Sequence, residues 1–412
     1  MNIHSLPVTN CRVCGSGNLR EVINLGEFAM TGIFPRMGEL DAPSSPLILL
    51  FCENCGLCQL KHSVDPKLMY GENYGYKSSL NSSMQKHLQS KVSGLASRYA
   101  VDRNDVILDI GSNDGTSCNK WLEFSDEVFG MDPTASKFAE NYDSRVKVTS
   151  DFFKSDTFLQ KSSKAKVITS IAMFYDLENP VDFAVNVRDS LSDDGIWHFE
   201  QSYLPSMIKA NAYDTICHEH LEYYSLSAIR EILDRAGMKI VDASLNDING
   251  GSIAVTAAKI ANNKIEVQPH VEWIIEREQK YFKNNYEILN LFAANVASHK
   301  NDLQELVSAL TKNYVIWGLG ASTKGNVLLQ YCGLTNNEID YIADVNPDKW
   351  NCFTPGSNIP ICPEKEIFEK KPDYLLVLPW HFRVNLLSKS EQFFNEGIRY
   401  IFPLPDIEIV SI

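Results

Sequence analysis

The sequence lacks both a surplus of positive charge and any long hydrophobic run. Its 412 residues include 38 Lys and Arg against 52 Asp and Glu, which gives a formal net charge of -14. Because no basic field is available to collect phosphates, nucleic acid is not expected as a partner. No uninterrupted apolar stretch approaches the roughly 20 residues that span a bilayer. We therefore expect a protein that acts neither on nucleic acid nor in a membrane.

A targeting signal is also missing. The first residues, MNIHSLPVTNCRVC, do not combine a basic start with an apolar run, as a secretory signal would. This predicts a cytoplasmic protein, in which ten cysteines are not expected to form a disulfide scaffold. Nothing points to an obligate protein partner. The length suggests roughly two to four domains.

Four of the cysteines form two CxxC pairs, Cys11-Arg-Val-Cys14 and Cys52-Glu-Asn-Cys55, each followed directly by glycine. Such knuckles turn their thiolates toward one ion, and two of them complete a tetrahedral zinc site. We predict that this zinc is structural, because four thiolates leave no open position for a substrate. Cys58 extends the second knuckle and could compete as a ligand, although its apolar surroundings favour a packed thiol.

The rest of the chain repeats a pattern of strand, glycine turn and helix, which is typical of α/β folds with a doubly wound sheet. Residues 80–100 suit a helix, and residues 265–312 have helical spacing with almost no glycine or proline. The predicted strands are Val106–Ile110, Val128–Asp132, Lys166–Ser170, Gly195–Glu200, Lys239–Asp242, Ser252–Thr256, Tyr314–Trp317, Ile339–Asp344 and Tyr374–Leu378. The predicted parts are a zinc-binding domain at 1–70, a central Rossmann-like domain at 71–264, a helical connector at 265–312 and a second Rossmann-like domain at 313–412.

The first glycine turn runs from Asp109 to Gly115 in the sequence DIGSNDG. An acid at the strand end and another inside the turn would repel a pyrophosphate, but they can accept hydrogen bonds from the ammonium group of a methionine moiety. This favours S-adenosylmethionine over NAD. An acid at the end of the next strand is placed to bind the two hydroxyls of a ribose. The predicted cofactor-binding residues are Asp109, Gly111, Asn113, Asp114, Gly115, Asp132, Asp151, Phe152, Phe153 and Ser170.

The second glycine turn, GLGASTKG from Gly318 to Gly325, resembles the weaker GxGxxG pattern, with Thr323 in place of the third glycine. Because Asp344 ends the next predicted strand, this turn could bind NAD. Alternatively, the turn and Lys324 could receive the diphosphate of a nucleotide-linked substrate.

The densest group of titratable side chains lies in TICHEHLEYYS, residues 215–225. In an extended loop, His218 and His220 would point the same way and Glu219 the opposite way. Methylation of carbon requires a carbanion, and imidazole suits the removal of a proton beside a ketone. His218 could then stabilise the enolate oxygen by donating a hydrogen bond, while Glu219 could orient the ring or bind a sugar hydroxyl. A metal site formed by the two histidines and a loop without function are the alternatives.

In this order, the CxxC knuckles, the first glycine turn, the HEH triplet, Asn249-Gly-Gly-Ser252 and the second glycine turn through Asn326 resemble the sugar C-methyltransferases of nucleotide-linked ketodeoxysugars. The resemblance extends over essentially the whole chain. It implies a zinc-binding domain, an S-adenosylmethionine-dependent methyltransferase domain and a C-terminal domain that helps to hold the sugar nucleotide. The expected reaction is methylation of a nucleotide-linked 4-keto-6-deoxysugar at C-3.

Carried over by position, the resemblance makes His220 the general base and places Glu219 close to the sugar. Either Tyr74 or Tyr76 would line the active site. Cys217 and Tyr175 stand where members of the family carry a tyrosine and a histidine facing the substrate. The predicted substrate-binding residues are Tyr175, Cys217, Asn249, Gly250, Lys324 and Asn326.

Two other classes of function remain open from the sequence. The second Rossmann-like domain would suit a nicotinamide-dependent oxidoreductase, for which His381 is the only candidate proton relay. The knuckles would suit a non-catalytic zinc-ribbon binding protein, which the acidic charge disfavours.

Overall fold

The computed structural model describes residues 5–70, 76–282, 285–388 and 390–411. Its N-terminal part is a small antiparallel structure around the cysteine knuckles. A four-stranded sheet has the order β11-β4-β3-β2, and β1 pairs with β5 beside it. The elements of this part are β1 Ser5–Pro7, β2 Leu19–Ala29, β3 Ser44–Cys52, β4 Cys58–Leu60, β5 His62–Val64 and α1 Pro66–Met69.

The central part is a seven-stranded sheet flanked by helices, as predicted. Its helices and strands are α2 Ser82–Arg98, β6 Val106–Ile110, α3 Thr116–Trp121, β7 Glu127–Met131, β8 Lys147–Thr149, α4 Ser155–Leu159, β9 Ala165–Ile171, α5 Pro180–Ser190, β10 Leu191–Ser202, α6 Leu204–Lys209, β11 Glu222–Tyr223, α7 Leu226–Arg235, β12 Met238–Asn246 and β13 Ser252–Lys259. Strand β11 lies in this part of the sequence but does not belong to the central sheet. It pairs instead with β4 of the N-terminal part.

The order of the large sheet is β12-β13-β10-β9-β6-β7-β8. Strands β6 to β10 run parallel, whereas β13 is antiparallel to both of its neighbours. The chain proceeds outward in one direction from β6 through β7 and β8, and in the other from β9 through β10. The crevice at the carboxyl ends of β6 and β9 is therefore a topological switch point, where α/β sheets bind ligands.

Helix α2 shows how local sequence produces these elements. The side chain of Asn81 accepts hydrogen bonds from the amides of Ser83 and Met84 and so caps the helix. Its buried residues recur at helical spacing and form one apolar stripe toward the sheet. They are Met84, Leu88, Val92, Leu95 and Ala96.

Two connecting helices lead to a second, six-stranded sheet. The sheet has the order β16-β15-β14-β17-β18-β19 and is parallel except for β19. The elements are α8 Pro269–Tyr281, α9 Asn285–Leu310, β14 Ile316–Leu319, α10 Thr323–Tyr331, β15 Ile342–Asp344, β16 Ile361–Pro363, α11 Glu366–Lys370, β17 Tyr374–Val377, α12 Arg383–Ser388, α13 Glu391–Asn395, β18 Arg399–Phe402 and β19 Glu408–Val410. The predicted α/β fold class is confirmed. Across the described ranges, no helix has the length and apolar character needed to cross a membrane.

The three parts meet around the HEH segment. Gln330 of α10 exchanges two hydrogen bonds with the backbone of Ala29, and Asn326 donates to the carbonyl oxygen of Thr31 at 2.7 Å. Trp380 of the C-terminal part donates its indole N–H to Asp214 in the central part at 2.8 Å. Residues distant in sequence therefore converge on the segment that the sequence singled out.

Candidate active site

The four predicted zinc ligands come together. The sulfur atoms of Cys11, Cys14, Cys52 and Cys55 all lie within 4.8 Å of one another. Two knuckles with four thiol groups at this spacing fit a tetrahedral zinc site. Cys58 does not join the group, because it is buried in β4 between β3 and β11. Cys58 is thus a buried thiol within a sheet, the kind of surroundings that its apolar sequence neighbours indicate.

A cavity of about 320 Å³ opens at the carboxyl edge of the central sheet. It lies at the switch point between β6 and β9, where the fold predicts a ligand. Of the predicted cofactor-binding residues, those lining it are Asp109, Gly111, Asn113, Asp132, Phe152 and Phe153. Tyr76 also lines the cavity, whereas Tyr74 lies outside the described residues.

The turn after β6 is shaped by glycine and by a carboxylate. Gly111 has a φ of 72°, a conformation that favours glycine. Asp132 accepts hydrogen bonds from the amide of Asn113 at 2.9 Å and from the amide and hydroxyl groups of Thr134, each at 2.6 Å. The acid predicted to bind a ribose is thus held rigidly at the rim of the cavity, and its oxygens retain further acceptor capacity.

Asp109 lies at the base of the same cavity and is buried. Burial, together with the nearby charge of Asp132, raises the pKa of this carboxyl group to about 7. The hydroxyl group of Thr169 donates to it at 2.5 Å. An ammonium group entering the cavity would offset the cost of ionising Asp109, so the site fits the amino acid end of S-adenosylmethionine.

Four other predicted cofactor residues have structural positions outside this lining. Asp114 accepts hydrogen bonds from Ser79 and Thr116 and so holds the turn. A Cβ atom at Gly115 would lie 2.7 Å from the ring of Tyr142. These contacts account for both residues without a ligand.

Contacts within the protein also explain the positions of Ser170 and Asp151. Ser170 is completely buried and accepts a hydrogen bond from the indole N–H of Trp197 at 2.8 Å. Asp151 is exposed, and its carboxylate accepts from the amide of Phe152. Neither Ser170 nor Asp151 lines the cavity, so their contact with the cofactor stays a prediction.

The cavity also contains acids that sequence reasoning missed. Asp176 and Glu178 follow β9, and burial raises the pKa of Asp176 well above its usual range. Glu200 lies near the carboxyl end of β10 and binds His87 at 2.6 Å and Lys91 at 2.7 Å. Burial favours its neutral form, but these two partners outweigh burial and lower the pKa of Glu200 to about 2. The position of Glu200 at a strand end was the available signal, the same one that identified Asp132.

The two histidines of the HEH triplet do not share one direction, contrary to the prediction for an extended loop. His218 is buried, and its Nε2 lies 3.0 Å from the carbonyl oxygen of Ser45 in β3. Burial lowers its pKa to about 4, so the ring is neutral and donates this hydrogen bond. Its predicted donation to an enolate oxygen is therefore corrected, because the N–H that would serve is bound to the N-terminal sheet.

His220 has the arrangement of a base. Its Nδ1 lies 2.9 Å from the carbonyl oxygen of Thr215, a contact that requires Nδ1 to carry the proton and leaves Nε2 with a free lone pair. Burial, together with the charge of Lys324, lowers the pKa of His220 to about 3. The neutral ring can therefore accept a proton. The ring of Tyr175 packs against it with 4.3 Å between centroids.

Glu219 lies between the N-terminal and C-terminal parts. Its carboxylate is beside Gly32, and burial raises its pKa. The adjacent Cys217 is completely buried, and burial raises the pKa of its thiol well above the usual range. A thiol kept protonated in this way is a packing group rather than a nucleophile.

Strand β11, which follows the HEH triplet, connects this segment to the zinc knuckle. Arg12, between the first two cysteines, places its Nε 3.7 Å from Glu222 and 3.6 Å from Glu178. The side chains of Arg12 and Glu222 are almost completely buried. The zinc knuckle therefore contacts both the segment that carries the histidines and the wall of the cofactor cavity.

The predicted substrate residues of the later sequence converge on the same region. Lys324 donates from Nζ to the backbone oxygen of Asn249 at 2.9 Å, and Asn249 lines the cavity. Gly250 packs closely against the ring of Trp380. Asn326 is completely buried and binds the backbone of Thr31. Asn326 thus connects two parts of the protein through its side-chain N–H group, and its contact with substrate stays a prediction.

Family models match most of the chain in three consecutive parts. A "Putative zinc binding domain" matches residues 11–70, a "Methyltransferase domain" matches residues 83–243, and a "C-methyltransferase C-terminal domain" matches residues 247–405. Among curated proteins, C-methyltransferase NovU of Streptomyces niveus is 28% identical over 413 residues, covering 98% of this chain and 97% of that protein.

Solved structures are more distantly similar. Magnesium protoporphyrin IX methyltransferase from Synechocystis, with bound S-adenosylmethionine, is 12% identical with a TM-score of 0.32, covering 42% of this chain and 79% of its own. An S-adenosylmethionine-dependent methyltransferase from Clostridium acetobutylicum is 10% identical with a TM-score of 0.33, covering 42% and 92%. The family matches, not these structures, disfavour the alternatives of a nicotinamide oxidoreductase and a non-catalytic zinc-ribbon protein.

Proposed function

Because the chain is an S-adenosylmethionine-dependent C-methyltransferase with a zinc-binding domain, we propose that it methylates C-3 of a nucleotide-linked 4-keto-6-deoxysugar. The observation that carries the proposal is the tautomer of His220, whose Nε2 is free while Nδ1 is bound to Thr215. A base of this kind is what methylation beside a ketone requires. We also propose the division at 1–70, 71–264, 265–312 and 313–412, with the reaction taking place where the parts meet.

The bound cofactor supplies an electrophilic methyl group, but a carbon beside a ketone attacks it only after losing a proton. His220 removes that proton through Nε2. Its low pKa in the free protein keeps the ring neutral before the substrate binds. As negative charge develops on the substrate, the protonated ring gains a partner, which favours proton transfer. The bond to Thr215 holds the ring in one tautomer throughout.

The other proposed roles follow from position. Asp109 binds the ammonium group of the cofactor, and Asp132 binds its ribose hydroxyls, because both acids line the cavity. Tyr175 restricts the rotation of the His220 ring by packing against it at a tilt of 56°. Glu219 binds a sugar hydroxyl, and Tyr76 lines the entrance with half of its surface exposed. Phe152 and Phe153 flank the adenine ring.

Mass spectrometry after incubation with S-adenosylmethionine and a panel of 4-keto-6-deoxy nucleotide sugars tests the function. A product heavier by one methylene group is expected for at least one sugar, with the new methyl group on C-3 by NMR. Methylation on oxygen or nitrogen, or transfer only to compounds without a ketone, would disprove the proposal.

The variant His220→Asn tests the role of His220. It should bind S-adenosylhomocysteine with the affinity of the parent, and its turnover should fall by about 10² to 10⁴, the usual contribution of a general base to the rate. Exchange of the α proton with deuterated solvent, followed by NMR with S-adenosylhomocysteine bound, should fall in parallel. His270→Asn is the matched control, because His270 is an exposed histidine bound to Asp242. Turnover near the parent rate in His220→Asn would mean that another group is the base.

A further inference from the structure

We propose that Lys324 is a catalytic residue, whose ammonium group binds the substrate carbonyl oxygen as negative charge forms there, rather than an anchor for the diphosphate. This inference rests on the proposed function and adds a second group to the proton transfer. It assigns the C-terminal part a direct role in the chemistry.

The location of Lys324 brings its side chain to the proton-transfer end of the site. Lys324 lies in the first turn of α10 and donates from Nζ to the backbone of Asn249, a residue of the cavity wall. The preceding residue, Thr323, and Glu219 both lie against Gly32. The start of α10 is therefore packed beside the residue that directly precedes His220.

The positive charge of Lys324 also acts on the imidazole of His220. Its positive charge contributes, after burial, to the lowered pKa of His220 and of His381. Asp214 lies within its field as well, since Lys324 opposes the effect of burial on the pKa of that carboxyl group. Thr215, directly after Asp214, accepts the hydrogen bond that orients His220. Lys324 and His220 thus lie close enough for the charge of one to act on the other.

Lys324 has capacity for another partner. Its only hydrogen bond among the described residues is to a neutral backbone oxygen, and no carboxylate in that part of the chain lies within 4.0 Å of Nζ. An ammonium group has three donors. Burial lowers the pKa of Lys324, and the nearby charge of Asp214 opposes this only in part, so the buried cation remains costly. Negative charge arriving with the reaction would offset that cost.

The glycine turn before Lys324 does not offer a cradle for a diphosphate. The amide of Ala321 donates to Asp344 at 2.6 Å, and the amide of Gly325 donates to Ser322 at 2.9 Å. The space in front of Gly320 is filled by Pro379, where an added Cβ atom would lie at 2.7 Å. The amides of Ala321 and Gly325 are therefore already bonded within the protein, which leaves the turn with fewer free donors than a phosphate loop presents.

The step is balanced as follows. The bond between the α carbon and its hydrogen breaks, and the proton moves to Nε2 of His220. The electron pair delocalises onto the carbonyl oxygen, which accepts a hydrogen bond from Nζ of Lys324. A bond then forms from the α carbon to the methyl group as the bond between methyl and sulfur breaks, and sulfur keeps its electron pair. The carbonyl is restored, and His220 returns its proton to solvent.

Lys324→Met separates this role from phosphate binding. Removal of one preorganised donor should slow α-proton exchange of the ketosugar by about 10² to 10³, in the presence of S-adenosylhomocysteine. The affinity for the nucleoside diphosphates dTDP and UDP alone, measured by calorimetry, should stay within about twofold of the parent, because no cradle faces that group. Lys349→Met is the matched control, since Lys349 is a lysine that binds the oxygen of Ala321 in the same turn.

A second readout does not require the sugar. The pKa of His220, followed by NMR of its ring nitrogens and assigned with His220→Asn, should rise in Lys324→Met because a nearby positive charge is removed. It should be unchanged in Lys349→Met. Zinc content and S-adenosylhomocysteine affinity near parent values establish that both variants are folded.

Three results would overturn the inference, and they are distinct from failure of the proposed function. The first is a loss of about tenfold or more in nucleoside diphosphate affinity with unchanged exchange in the bound complex, which would identify a phosphate anchor. The second is an unchanged pKa of His220. The third is normal exchange in Lys324→Met. Failure of the proposed function would instead appear as absence of exchange in the parent protein.

Discussion

The two glycine turns of this protein have nearly the same backbone and opposite surroundings. In the first, the amide of Gly111 donates to Met131 at 2.8 Å, and in the second the amide of Gly320 donates to Ala343 at 2.7 Å. Both glycines have positive φ, 72° and 83°. In each turn an acid from the end of the next strand accepts a backbone amide, Asp132 in one and Asp344 in the other.

What differs is the space in front of each turn. Gly111 and the neighbouring Met173 both line a cavity of about 320 Å³, whereas Gly320 packs against Pro379 and is not part of the cavity wall. Two residues before these glycines stand Asp109 and Gly318. Asp109 supplies a buried carboxyl group to the first turn, while Gly318 leaves room for Ile342 to pack against the second. A shared pattern of strand, turn and acid therefore identifies the fold. Packing from other elements decides which of the two turns has room for a ligand.

Removal of zinc should have the largest effect. The cavity of the first turn includes Glu178, which Arg12 of the zinc knuckle contacts, so we expect loss of zinc to disturb the cavity at the first turn. The parent should contain about one zinc per chain by metal analysis. Cys52→Ser should lose the metal and most of the affinity for S-adenosylhomocysteine, while the control Cys58→Ser keeps both. A zinc-free parent that remains folded would contradict the site.

Blocking the turns directly should have the next largest effect. Gly111→Arg places a long cationic side chain in the cavity, where a Cβ atom already lies 2.9 Å from Met173. We expect a loss of about 100-fold or more in S-adenosylhomocysteine affinity by calorimetry, because the charge also repels the ammonium group of the ligand. Ser322→Arg in the second turn should cost only a helix cap, about 1 kcal/mol of stability. If Ser322→Arg alone abolished binding, the two turns would have exchanged roles.

Replacement of the two matched acids should have a smaller effect. Asp132→Asn should weaken S-adenosylhomocysteine about 10-fold to 100-fold, the range for hydrogen bonds to a charged group. Asp344→Asn should leave that affinity within about twofold and lower stability alone, because it serves only protein amides. Calorimetry and thermal unfolding of both variants separate the two effects. Equal losses of affinity in Asp132→Asn and Asp344→Asn would show that the position of Asp132 in the cavity wall makes no difference to cofactor binding.

The smallest effect is a dependence on pH. Because the pKa of Asp109 is about 7 in the free protein, S-adenosylhomocysteine affinity should rise by up to about tenfold per pH unit below pH 7 and level off above it. The raised pKa also means that the folded protein holds this proton more tightly than the unfolded chain, so Asp109 lowers stability as pH increases from about 4 to 7. Asp109→Asn should flatten the affinity profile, and Asp344→Asn should preserve it. A rise that persists in Asp109→Asn would assign the titration elsewhere.

The elements of the fold were largely predictable, and the site was only partly so. Helix α2 carried its cap and its apolar stripe in sequence, and the strand ends marked Asp109 and Asp132. Asp114, inside the first glycine turn, and Ser170, at the end of a predicted strand, are predicted to bind the cofactor, and in the structure Asp114 holds its own turn while Ser170 accepts a hydrogen bond from Trp197. Proximity in sequence does not specify whether an oxygen faces a cavity or another residue of the protein.

The sequence by itself determined the order of strands, turns and helices, the pairing of the cysteine knuckles and the location of the HEH triplet. These features follow from local periodicity and from the geometry of short motifs. Only the tertiary structure decided that His218 faces Ser45, that His220 presents Nε2, and that the second glycine turn is filled. The reason is that β11 pairs with β4 of the zinc-binding part, and α10 packs beside Glu219. Long-range contacts of this kind orient side chains that the local sequence leaves free to turn either way.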